Sequence, residues 1–98
     1  MAHIDPQLQH EVDRFRGDNR NLQALVVLDR SSVAGRKPDE VGTIVNDLVA
    51  DVCAASQSRP ARVVVFKNIN SFAVEAPAKF LDSLLRRSQI GSATLNDS

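Results

Sequence analysis

Tryptophan and tyrosine are missing from this sequence altogether, and phenylalanine occurs only four times. Surfaces that read single-stranded nucleic acid stack bases on aromatic side chains, so such a surface has almost nothing to be built from here. Charge of either sign is not in excess. Twelve basic and twelve acidic residues cancel, leaving no overall field to draw in a nucleic acid or an anionic membrane. The single cysteine, Cys53, excludes an internal disulfide and any Cys-x-x-Cys metal or redox motif. No unbroken apolar run is longer than five residues, against the roughly 20 needed to cross a bilayer as a helix. The opening Met1 to Asp5 has neither the basic start nor the apolar centre of a signal peptide.

Catalytic patterns are scarce as well. His3 and His10 both stand near the start of the chain, far in sequence from Cys53, and no spacing selects a Ser/His/Asp set. There is no Gly-rich phosphate loop and no clustered His/Asp/Cys metal pattern. The expectation is a protein that is not an enzyme and uses no metal or cofactor.

What is present is a sequence of 98 residues with 43% hydrophobic side chains, enough for one modest core. Asp5 and Pro6 read as the N-cap and first position of a short helix carrying Leu8, Val12 and Phe15, with Gly17 at its stop. Residues 22–28 form an apolar strand with hydrophobic groups on both faces: Leu22, Ala24, Val26 and Leu28 on one, Gln23, Leu25 and Val27 on the other. Residues 29–37 read as a polar loop. From Pro38 a long helix follows, with Asp39 and Glu40 in its first turn. Val41, Ile44, Val45, Leu48, Val49, Val52 and Cys53 recur on one broad stripe of that helix, which makes Cys53 a buried, inert apolar residue.

The stretch 63–85 is the organising unit. Val63-Val64-Val65-Phe66 is a β-branched strand, Lys67 to Ser71 a turn with two Asn, and Phe72-Ala73-Val74-Glu75 an alternating second strand. Pro77 reads as the first position of a helix whose stripe is Phe80, Leu81, Leu84 and Leu85. Residues 89–96 alternate weakly and read as a short, polar edge strand.

After the first helix the order is therefore β-α-β-β-α-β. That predicts an α+β, ferredoxin-like sandwich: a four-stranded antiparallel sheet with two helices on one face, plus the short N-terminal helix. Residues 1–21 would be helix and linker, 22–96 the ferredoxin-like domain, and 97–98 a tail. Helices on one face leave the other open, and an open apolar sheet face marks a partner site.

Ile69-Asn70-Ser71-Phe72-Ala73, followed by a short strand and a Leu-rich helix, resembles the second half of a subtilisin propeptide, with Ser71 standing where that family usually has Gly. The Ile4-Asp5-Pro6 opening, short charged helix and Val-Val-Leu strand resemble segments ahead of some bacterial subtilases. The resemblance implies an inhibitor or folding chaperone of a subtilisin-like serine protease, in cis or in trans. Its open sheet face would dock on the protease, and the tail Leu95-Asn96-Asp97-Ser98 would lie in the active-site cleft. It also implies an exported protein. Two other readings share the predicted fold: a small-molecule regulatory domain holding ligand near the 29–37 loop, and an interaction module that forms a homodimer through the open face.

Overall fold

The computed structural model describes residues 3–18 and 20–96. Among the described residues the elements run β1 (His3–Ile4), α1 (Pro6–Arg14), β2 (Asn21–Leu28), α2 (Arg30–Val33), α3 (Pro38–Ser56), β3 (Arg62–Phe66), a 3-10 turn (Lys67–Ile69), β4 (Ser71–Pro77), α4 (Ala78–Leu85) and β5 (Ile90–Leu95). The strands form one mixed sheet in the order β1-β5-β2-β4-β3, antiparallel except where β1 joins β5 in parallel. This corrects the expected four-stranded antiparallel sheet. The fifth strand is only two residues long, too short to leave a period-2 signature.

Helices α1, α3 and α4 lie on the same face. Leu8 and Val12 of α1 and Val41, Val45, Leu48 and Val52 of α3 join Phe80, Leu81 and Leu84 of α4 in a single buried cluster. The sheet answers with Leu22, Ala24, Val26 and Leu28 from β2, Phe72, Val74 and Ala76 from β4, and Ala93 from β5. The N-terminal helix is thus a third member of the helical layer and does not cover the other face. It is tied to α4 by Arg16, whose guanidinium donates to Asp82 at 3.3 Å; Arg86 reaches the same carboxylate at 3.4 Å. The guanidinium groups of Arg14 and Arg20 lie over the Phe15 ring, 5.1 and 4.7 Å from its centre.

Local rules account for most boundaries. The Asp5 carboxylate accepts the Gln7 N–H and caps α1 ahead of Pro6. Helix α3 stops at Gln57 in the left-handed region (φ 54°). The β3–β4 connection turns through Asn70, also left-handed (φ 51°), a conformation Asn tolerates better than most residues. Four expectations need correction. The segment 29–37 is not all loop, because α2 forms within it. Pro77 closes β4 and precedes α4 as its cap instead of opening the helix. Cys53 is half-buried at the rim of the α3 stripe, beside a shallow depression lined by Ala50, Ala54, Gln57, Ser58 and Arg59.

The fourth correction concerns β5. It lies between β1 and β2 and is no edge strand. Its register against β2 shifts by one residue between Val27 and Leu28: Val27 faces Ser92, but Leu28 faces Ile90. Gly91 is the extra residue of a β-bulge. Simple alternation puts Ile90 on the face of Ser92 and Thr94. The bulge turns it over, and Ile90 is buried in the core.

Candidate functional site

Register fixes which side chains share the face turned away from the helices. Val27 lies opposite Ser71 of β4 and Ser92 of β5, and Ser71 lies opposite Phe66 of β3. In the next row Thr94, Leu25, Ala73 and Val64 stand side by side across the sheet. Below them, Gln23 faces Glu75, and Glu75 faces Arg62. The centre of this face is therefore apolar, made of Leu25, Val27, Val64, Phe66 and Ala73.

Polar groups flank it on two sides, along the Gln23–Glu75–Arg62 row and along β5. Gln23 donates through Nε2 to Glu75 at 3.2 Å, and Asn96 follows β5 with its backbone N–H donated to Gln23 O at 2.9 Å. His3 lies at the far side, in register with Ser92. Val27 and Phe66 are 39% and 42% exposed, unusual for large side chains in a folded sheet. An open depression of about 270 Å³ dips into the face, lined by Gln23, Arg62, Val64, Phe66, Ala73, Val74, Glu75 and Asn96. Ser71 is the exception on this face. Flanked in register by Phe66 and Val27, it is 1% exposed and its hydroxyl has no hydrogen-bond partner.

What this surface offers is shape and apolar area. Neither His is near Cys53 in the fold order, and among the described residues no group of three or more His, Cys, Asp or Glu side chains could share a metal ion. The Asp29 carboxyl is held below its ordinary range by the Ser31 hydroxyl, from which it accepts at the start of α2. It stands at the end of β2, away from the apolar centre.

The residues of the expected protease-binding set fall in different places. Ile69 and Asn70 belong to the turn before β4, with Ile69 64% exposed. Phe72 points into the helical core and is fully buried, while Ala73 points to the open face. Leu95 is the last residue of β5, paired with Ala24 and packed against the core. Asn96 continues that pairing, and Asp97 and Ser98 lie outside the described residues. Sequence reasoning identified Leu25 and Val27 as a second apolar face but had no means of joining them to Val64 and Phe66. Period 2 gives the faces of each strand; only register says which faces coincide. No family model, no curated protein and no solved structure matches the chain.

Proposed function

We propose that strands β2 to β5 with α3 and α4 form a ferredoxin-like βαββαβ unit, to which β1 and α1 are additions, and that its open face is a docking surface for a subtilisin-like serine protease. The order β5-β2-β4-β3 within the sheet is that expected of two interleaved βαβ crossovers, which supports the fold reading. The single observation that carries the docking reading is the apolar patch of Leu25, Val27, Val64, Phe66 and Ala73, flanked by polar groups along the Gln23–Glu75–Arg62 row and along β5. That anatomy is the one protein interfaces use: a water-excluding middle with hydrogen-bonding groups at the rim. The protease as partner rests on the resemblance of the Ile69-to-Ala73 segment and the strand and helix after it to subtilisin propeptides.

Inhibition of this kind needs no catalytic group. Affinity comes from desolvated apolar area, and the inhibitor blocks access by lying beside and across the cleft. Leu95 is held in the sheet by its pairing and packing, so any chain that enters the cleft begins after it. The test is titration of the chain into subtilisin with residual activity as the readout, alongside Leu25→Glu. A buried interfacial carboxylate with no partner is costly, so the variant is expected to inhibit at least about tenfold less well, about 1.4 kcal/mol. Its thermal midpoint should stay unchanged, because Leu25 lies off the core. Absence of inhibition by the unaltered chain at tens of micromolar, or equal inhibition by Leu25→Glu, overturns the reading.

A further inference from the structure

Strand β3 has a partner on one side only, β4; among the described residues its outer edge pairs with nothing. The hydrogen-bonding phase of that edge follows from two bonds elsewhere in the sheet. Leu28 N–H donates to Asn70 O at 2.9 Å, and Asn96 N–H donates to Gln23 O at 2.9 Å. In antiparallel pairs the residues alternate between bonding one neighbour and the other. Even-numbered residues of β2 therefore bond β4, and odd-numbered ones bond β5. With no register shift between β2 and β4, Phe72 and Val74 are turned to β2, and Ser71, Ala73 and Glu75 to β3. Their partners in β3 are Phe66, Val64 and Arg62. The backbone N–H and C=O groups of Val63 and Val65 consequently aim outward from the sheet.

We infer that this edge pairs with a second copy of the same chain, the two β3 strands lying antiparallel about a two-fold axis through Val64. This rests on the β3 edge and is independent of the protease reading. The strand Arg62-Val63-Val64-Val65-Phe66 is self-complementary about that axis. Val63 meets the partner's Val65 and Val65 meets the partner's Val63, so all four outward groups are satisfied. Val64 meets the partner's Val64 as a non-hydrogen-bonded pair, the closer kind. Arg62 meets the partner's Phe66, a cation beside an exposed ring on the same face, and no like charges are opposed. An axis through Val63 or Val65 instead pairs part of the strand with Ala61 or Lys67, outside β3. Natural edges are guarded by charge, bulges or covering segments; β3 carries three consecutive valines and its only charge, Arg62, at one end.

A five-residue pairing makes a small, exchanging interface of the class below about 1,200 Å². Sedimentation equilibrium is expected to show monomer at about 5 μM and mostly dimer at about 0.5 mM. Val64→Lys places two ammonium groups across the axis and should abolish association with the melting midpoint preserved. Val64→Thr keeps the β-branched shape and should retain it. Disulfide trapping decides the geometry independently, in a Cys53→Ser background. A non-hydrogen-bonded pair, with Cα atoms about 4.5 Å apart, lies within disulfide reach, so Val64→Cys should form a covalent dimer on mild oxidation. Ala73→Cys, one strand further in on the same face, should not. A chain that stays monomeric at 0.5 mM, a Val64→Lys variant that associates like the parent, or trapping at Ala73→Cys as efficient as at Val64→Cys overturns the inference.

Discussion

Replacing Gly91 with Ala should destabilise the fold although Gly91 needs no unusual backbone angle. It is absent from the positive-φ residues, among which Gly35 is the glycine. The requirement is space. A Cβ at position 91 would stand 3.0 Å from the Asp29 Cα, 3.1 Å from the Leu28 carbonyl oxygen and 3.2 Å from the Asp29 nitrogen. Relaxed carbon contacts lie at about 3.5–4.0 Å, so the opposing chain must move by several tenths of an ångström. All three atoms are backbone, and that backbone is anchored: Asp29 N–H donates to Gln89 O at 2.7 Å, and Leu28 N–H to Asn70 O. Overpacking against atoms that cannot rotate away costs about 1–3 kcal/mol. At about 4–8 °C per kcal/mol for a domain of this size, the midpoint falls by roughly 5–20 °C. Gly42→Ala is the matched control. It sits within α3, and a Cβ there meets nothing within 4 Å. Helix propensity alone then stabilises the protein by about 0.5–1 kcal/mol. Urea melts with unchanged m-values measure both. A Gly91→Ala variant within about 0.5 kcal/mol of the parent, the scatter of ordinary surface substitutions, would refute the bulge argument.

Ser71→Ala should raise stability by about 1 kcal/mol, because it removes a buried hydroxyl that has no partner; a loss in denaturant melts would mean that the hydroxyl is satisfied in solution. Asp29 provides a pH test. Its folded-state pKa is depressed below the ordinary 3.8, first of all by the Ser31 hydroxyl, so its contribution to stability is complete above that value and is lost as pH falls through the lower folded one. Ser31→Ala should move the Asp29 carboxyl titration upward when followed by carbon NMR, and an unmoved titration would sink this assignment.

The broad pattern of the fold was legible because it is written in periodicity. The α3 stripe from Val41 to Val52 and the Phe72/Val74 alternation each repeat often enough to declare both element and buried face. Features one or two residues long were not. His3 and Ile4 have no pattern to read, and a single inserted residue at Gly91 reversed the face of Ile90 without altering the local composition. Cys53 continues the helical spacing, yet it lies where the stripe runs off the layer, a boundary set by tertiary packing. The open face was legible strand by strand from Leu25 and Val27. Its union with Val64 and Phe66 was not, since the predicted order of strands leaves open which residues stand opposite one another.

The little strand β1 makes the two borders of the sheet unlike. It lies along β5, and the chain just after it occupies the Ala93 carbonyl through the Asp5 N–H at 2.9 Å. Among the described residues β1 is thus itself the border on that side, only two residues long, while the opposite border is the five-residue β3. A protein receptive at both borders can add copies head to tail without end and grow into a filament. In the pairing inferred above the contact is isologous: each copy uses the same strand, so the second copy occupies the long border of the first. His3 and Ile4 leave that border only two residues of strand, too few to match the five-residue pairing inferred for β3, so on that inference association is expected to stop at two copies.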